Sequence, residues 1–431
     1  MITTIIITIL VLFFFLAIGM PVGITLAASG SVGLILMGGW SDMLAVISTS
    51  PYRNTASWLL TTVPMFVLMA EFLSGSKISS DFFNFANKWL GRLPGGLAIA
   101  TVLTSAALGA VSGSSTAAAG LMTKIASPEM VKYGYNEKMA YGVVATAGTL
   151  AILIPPSVIL MVFGIMTGTS IGDLFFAGII PGLVSVTAYI LATLLWIRWD
   201  KNVAGKSLSY SWRERIQSIK SVWPTLVLVI LVLGGIYSGI VTVTEAAAIG
   251  AAGAFVIGLC LRMLNWQTIK QSIVNTTKIT AMIYMLIIGA HIFGYFLSYS
   301  NTTQDFISSI FAMGLNKWVI LIAMIVIYLI LGCFMDQFAI LVITIPVVFP
   351  LLMKLGFHPL WIGILIAKTV EIGLATPPVG LNVFITSSIG KVKAEKVFAG
   401  AMPYLVVDGL ISILVLIFIP GVVTWLPSIL R

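Results

Sequence analysis

Charge is scarce in this chain: of 431 residues, 23 are Lys or Arg and 14 are Asp or Glu. A water-facing globule carries about a quarter charged residues, so that class is excluded. Histidine and cysteine are almost missing. His291 and His358 are too few and too isolated for a metal centre or a triad. Cys260 and Cys333 suggest neither a disulfide framework nor a metal site. No G-x-S-x-G or H-E-x-x-H occurs. Gly205-Lys206-Ser207 resembles the end of a phosphate-binding loop, but Asp200 stands where that loop needs Gly, so no nucleotide site is expected. No nucleophile, base and orienter set is visible, so the chain is expected not to be an enzyme. The first charged side chain is Asp42. Without a basic flank, the opening stretch is expected to be membrane segments that stay rather than a secretory leader.

What is present is apolar: 59% of the residues are hydrophobic and the mean hydropathy is +1.10. Uncharged windows of spanning length recur along the chain. They predict spans near 2–19, 21–38, 56–75, 139–166, 174–197, 223–241, 244–261, 279–298, 359–390 and 398–427, with re-entrant hairpins near 97–127 and 317–353. With the polar stretch 198–222 in the cytoplasm, alternation leaves eighteen Lys and Arg inside or near the inner face. Only Arg53, Lys317, Lys354 and Arg431 fall outside, and Lys368 lies in a span. The net charge of +9 therefore reads as an orientation signal, with anionic lipid secondary and nucleic acid not a partner.

The pattern that runs from Pro128 to Pro181 returns, without a gap, from Pro350 to Pro403. Pro128, Lys132, Gly134, Ala145, Pro155, Pro156, Gly168, Phe176, Ala177, Gly178 and Pro181 match Pro350, Lys354, Gly356, Ala367, Pro377, Pro378, Gly390, Phe398, Ala399, Gly400 and Pro403. This is an internal duplication. The charge-based topology puts Pro128–Lys138 inside and Pro350–Leu360 outside, so the repeats are expected to be inverted, and alternating access follows from that symmetry. The expected fold is an all-α polytopic membrane protein of two inverted-topology repeats. The first, 1–197, holds scaffold helices at about 1–76, an interfacial arm at 77–96, a hairpin at 97–127 and a broken helix at 139–166. A basic cytoplasmic linker follows at 198–222. The second, 223–431, repeats the plan with scaffold 223–298, arm 299–316, hairpin 317–353 and broken helix 359–390. The arms read either as bracing helices in the interface or as ordinary connectors.

Each repeat has a hairpin and a Pro-Pro pair inside an apolar segment. Proline cannot donate to the carbonyl one turn back, and lipid tolerates freed carbonyls only where they are buried in protein or line a cavity. Two breaks at matching positions therefore point to a binding site, although a single kink needs no function. Ser112, Gly113 and Ser114 at the first hairpin, with Thr149 and Pro155 at the first break, are candidate Na⁺ ligands, since a hard cation takes hydroxyl and carbonyl oxygens. Close helix packing through small residues is the plainer reading of the same run. The counterpart set is Gly332, Asp336, Thr376 and Pro377. Asp336 reads as either a cation ligand or a helix N-cap. Ser114, Ser115, Pro156, Ser157, Val379 and Asn382 are candidates for lining a substrate pocket, where helix N-termini favour a carboxylate. Lys368 and Glu371 are expected to pair, and Glu71, Glu245 and Asp408 to be structural partners.

Several runs resemble the large membrane subunit, DctM-like, of tripartite ATP-independent periplasmic (TRAP) transporters. They are Gly109 with Ser112-Gly113-Ser114-Ser115-Thr116-Ala117, Ile154-Pro155-Pro156-Ser157, Ser170-Ile171-Gly172-Asp173, Ala177-Gly178-Ile179-Ile180-Pro181-Gly182, Thr244-Glu245-Ala246-Ala247 and Thr376-Pro377-Pro378-Val379-Gly380-Leu381-Asn382. Leu121-Met122-Thr123-Lys124 departs from the apolar stretch expected there and leaves substrate choice open. The resemblance implies a Na⁺-driven importer of organic acid anions, such as C4-dicarboxylates or sialic acid, in the bacterial inner membrane. It implies elevator movement, a small four-helix membrane subunit (Q type) and a periplasmic substrate-binding protein (P type) as partners. Na⁺ would be the coupling ion, with no other cofactor. An ion or solute channel built on inverted repeats is the competing class.

Overall fold

The computed structural model describes residues 2–74 and 78–429; Lys77 and Arg431, both used in the charge count, lie outside the described residues. Among the described residues there are nineteen α-helices and no strand. The first half runs α1 (Ile2–Ala17), α2 (Val22–Thr55), α3 (Thr62–Ser74), α4 (Ile78–Leu90), α5 (Gly96–Ser112), α6 (Ser115–Lys132), α7 (Glu137–Ala147), α8 (Val158–Thr167) and α9 (Ile171–Trp199). The second runs α10 (Trp212–Tyr237), α11 (Val243–Cys260), α12 (Trp266–Tyr299), α13 (Thr302–Ala312), α14 (Lys317–Phe334), α15 (Gln337–Lys354), α16 (Pro359–Gly373), α17 (Leu381–Gly390), α18 (Ala394–Phe418) and α19 (Gly421–Ile429). Eight of these are long and apolar enough to cross a membrane, or nine if the bent pair of α3 and α4 is one span.

The order α5 to α9 returns as α14 to α18, and the local devices return with it. Ser114 caps α6 as Asp336 caps α15, and Asn136 caps α7 as His358 caps α16. Gly134 and Gly356 take φ of 87° and 84° between them. Both Pro-Pro peptides, Pro155–Pro156 and Pro377–Pro378, are cis. Each of these pairs is separated by the interval of the sequence repeat.

Several boundaries differ from the sequence reading. The broken helix read at 139–166 consists of α7, a 3-10 turn at Gly148–Ile152, and α8. The span at 359–390 is likewise α16, a non-helical stretch and α17. The span at 279–298 begins earlier, at Trp266, because Asn265 caps the helix and accepts from Thr268 N. α2 runs on past 38 to Thr55 with a break at Gly39, whose φ of 80° suits glycine.

The linker 198–222 has structure of its own. From Trp212 onward it is helix, started by a capping box in which Ser211 and Glu214 satisfy each other's backbone N–H. The rest is docked rather than loose. Leu208 N donates to Gly91 O at 2.8 Å, Asn87 Nδ2 to Tyr210 OH at 3.1 Å, and Lys206 N to Tyr133 O at 3.0 Å.

Glycines allow the closest helix contacts. A Cβ on Gly23 would collide with the Met285 backbone, which seats α2 on α12, and one on Gly142 would collide with Gly400, which seats α7 on α18. Every α16 residue from Leu360 to Gly373 is buried, Lys368 and Glu371 included, so this helix is enclosed by its neighbours on all sides.

Candidate functional site

α5 ends at Gly113, whose N–H closes on Gly109 O and whose φ of 58° is left-handed. The chain then extends through Ser114, whose hydroxyl accepts from Ala117 N at 3.4 Å and starts α6. The second hairpin turns the same way. Met335 is extended, and Asp336 Oδ1 accepts from Phe338 N at 2.8 Å and Ala339 N at 3.4 Å. Asp336 is therefore the N-cap of α15, one of the two roles its position allowed.

Both hairpin tips open onto one cavity of about 500 Å³. Gly113, Ser114, Thr116 and Ala117 line it from the first tip, and Asp336, Gln337 and Phe338 from the second. Val67, Ala70 and Glu71 of α3 and Ile279 and Met282 of α12 form the facing wall. Glu71 Oε2 accepts from Asn275 Nδ2 of α12 at 2.9 Å. Among the described residues the lining has two carboxylates, Glu71 and Asp336, and no Lys, Arg or His. The sequence reading assigned Glu71 only a structural bond. An isolated acidic residue in an apolar helix was the signal that could have placed it here.

The other candidate residues lie elsewhere. The side chain of Ser112 is outside the described residues. Ser115 and Asn382 are fully buried behind the tip, where Asn382 Nδ2 donates to Ser115 Oγ at 2.6 Å and to Ala145 O at 3.3 Å. They pin α17 to α6 and α7 and do not line the cavity. Pro155, Pro156 and Ser157 are buried in the first break. Val379 and Pro377 are exposed at the second break but do not line the cavity. Gly332 packs against the Gly373 backbone. Thr376 Oγ1 donates to Ile372 O at 2.7 Å.

Thr149 is the clearest correction. Its hydroxyl donates to Glu371 Oε1 at 2.9 Å and lies 3.2 Å from Tyr189 OH, so it belongs to a buried network away from the cavity and not to an ion site beside Ser114. Thr149 and Glu371 are equivalent positions of the two repeats. The contact joins the two halves of the chain. In the same network Lys368 Nζ reaches Asp408 Oδ2 at 2.5 Å, Ser185 Oγ at 2.7 Å and Glu371 Oε1 at 3.3 Å. The expected Lys368–Glu371 pair is thus present, with Asp408 added from α18.

The sequence profile described as "Tripartite ATP-independent periplasmic transporter, DctM component" matches residues 9–422. The chain belongs to the DctM family of TRAP transporters. The C4-dicarboxylate TRAP transporter large permease DctM of Vibrio cholerae is 35% identical, with 97% of each chain covered. That of Pseudomonas aeruginosa is 34% identical, with 94% of each covered. The sialic acid TRAP transporter large permease SiaM of Vibrio cholerae is 29% identical, with 93% of each covered. Among solved structures, the YdaH transporter of Alcanivorax borkumensis shares the fold, with a TM-score of 0.61 at 16% identity, covering 88% of this chain and 90% of that one. As a DctM component the chain is a transport permease rather than an enzyme. It is a multi-pass protein of the bacterial inner membrane and one component of a tripartite system.

Proposed function

We propose that this DctM component is a Na⁺-coupled importer of organic acid anions. The observation that carries the reading is the lining of the central cavity. Among the described residues, a carboxylate substrate entering it meets Glu71 and Asp336 and no basic side chain. Unpaired like charges in a low-dielectric site repel strongly, so the substrate needs cations brought in with it. The tips of both hairpins supply what a cation takes: the Asp336 carboxylate, the Ser114 hydroxyl and tip carbonyls such as that of Gly113. Gly332, Thr376 and Pro377 near the second break and Pro155 in the first do not line the cavity and would contribute only backbone carbonyl or hydroxyl oxygens to the ions. The N-termini of α6 and α15 begin at the cavity and favour the substrate's negative charge once the cations are in place.

The division into moving and fixed parts follows from the same cavity. Its wall of α3 and α12 belongs to a scaffold of α1–α3 and α10–α12, and the hairpins and broken helices form the body that carries substrate. The contact between equivalent residues Thr149 and Glu371 supports two halves related by an axis, and the charge count supports their inversion in the membrane. The DctM family supports a small membrane subunit against the scaffold and a periplasmic binding protein that delivers substrate. C4-dicarboxylate and sialic acid are the cargoes named for the relatives and are the first to try.

The test is uptake into proteoliposomes holding this chain and its small subunit, with a loaded binding protein outside. Concentrative, saturable uptake should appear with a Na⁺ gradient and vanish when choline replaces Na⁺. Uptake that is undiminished in choline would falsify the reading, and uptake that only equilibrates would make the protein a channel.

A further inference from the structure

The network between the two breaks has one negative charge too many. Lys368, Glu371 and Asp408 are all fully buried. Asp408 is completely matched: Oδ2 takes Lys368 Nζ at 2.5 Å, and Oδ1 takes the Ser412 hydroxyl at 2.6 Å. Lys368 and Asp408 therefore form the ion pair. Glu371 is the surplus group. Its Oε1 accepts from Thr149 and approaches Lys368, while its Oε2 is buried with no hydrogen-bond partner among the described residues. The other titratable group facing it among those residues is Tyr189 of α9, a neutral phenol that meets Thr149 at 3.2 Å. α8, α19 and the 3-10 turn Gly148–Ile152 carry no titratable side chain. On α14, Tyr328 is bonded to Thr344 of α15, and Cys333 to its own helix at Leu329 O.

A second carboxylate that shares its one buried cation with a closer partner is taken out of water with too little compensation, and groups in that position neutralise instead. We propose that Glu371 is a resident proton-binding site, holding its proton on Oε2, so that the network is one lysinium, one carboxylate and one carboxylic acid with no net charge. Glu371 is a positioning residue: it touches neither the cavity nor the hairpin tips. It stands in the turn before Pro377 just as Thr149 stands before Pro155. The neutral acid thus ties the two broken helices to each other where the halves meet, without placing a charge beside either break.

Infrared difference spectroscopy of the purified full chain at neutral pH reads the proton directly. The parent should show a carboxylic-acid carbonyl band that shifts in D2O and is lost in Glu371→Gln. It should also be lost in Asp408→Asn, because Glu371 then becomes the sole partner of Lys368 and ionises. Gln mimics the neutral acid, so E371Q should keep the parent's melting temperature, whereas Lys368→Met strands two acids and should melt far lower. Three results overturn the proposal. One is a parent spectrum unchanged by E371Q. Another is an E371Q chain that fails to fold or melts as low as K368M. The third is a band that appears only when Na⁺ is withdrawn, which would assign the charge balance to a bound cation.

Discussion

The two breaks begin from the same Pro-Pro signal and end differently. The first closes on itself. Ser157 Oγ donates to Ile152 O, a carbonyl that the prolines leave free, and accepts from Leu160 N to start α8. Pro155, Pro156 and Ser157 are all buried. The second break has Val379 where the first has Ser157, one repeat earlier. With no hydroxyl to turn inward, it relies on neighbours. Gly380, at φ 56°, donates its N–H to Cys333 O at the end of α14, and Asn382 N donates to Leu374 O. Pro377, Pro378 and Val379 are exposed. One break is thus fastened by its own bonds, while the other is fastened by the second hairpin.

Accessibility gives the widest contrast. In a chain lacking Cys260 and Cys333, Val379→Cys should react with an impermeant thiol reagent and Ser157→Cys should not. Equal labelling of the two would erase the distinction between the breaks. Na⁺ and substrate together should slow labelling of Val379→Cys if they hold the second hairpin against its break.

The hairpin tips offer the next contrast, since Ser114 and Asp336 are equivalent. Asparagine caps a helix as well as aspartate does, so Asp336→Asn should fold normally. It removes a charge-assisted ligand, and an interaction of about 1.5–3 kcal/mol makes the apparent Na⁺ requirement about tenfold weaker or more. Ser114→Ala should shift it less. A titration of uptake against Na⁺ decides, and an unchanged Na⁺ dependence in D336N would remove Asp336 from the ion site.

The smallest effects separate the ways the breaks are fastened. Asn382→Ala removes the bonds to Ser115 and Ala145 O and should cost about 1–3 kcal/mol of stability. Ser157→Ala removes a cap and should cost about 0.5–2 kcal/mol. Thermal melting ranks the two. Uptake should suffer more in N382A, because that side chain joins the second half of the chain to the first hairpin.

Repetition made much of the fold legible. The Pro-Pro pairs at 155–156 and 377–378, each after a run of small residues or an apolar hairpin, mark both hairpins and both breaks without any knowledge of contacts. Helix ends were less legible where capping, not hydropathy, sets them. Ser211 with Glu214, and Asn265, begin helices inside stretches that composition alone reads as polar linker or loop. The cavity lining was legible at Gly113, Ser114 and Asp336, since all three stand at turns where the chain must reverse. It was not legible at Glu71, whose place on the cavity wall depends on how α3 packs against the tips.

Local chemistry is written along the chain because apolar length, proline and small hydroxyl residues act within a few positions of themselves. The membrane class, the duplicated order of helices, the hairpin turns and the family were therefore decided by sequence. Which polar groups meet is decided only when helices distant in sequence pack side by side. Asn382 faces Ser115 across 267 residues and Lys368 faces Asp408 across 40. Thr149 meets Glu371, its own equivalent, across 222 residues. Most buried polar atoms find a partner within hydrogen-bond reach, so which ones do was settled by tertiary structure and left no mark in the local pattern.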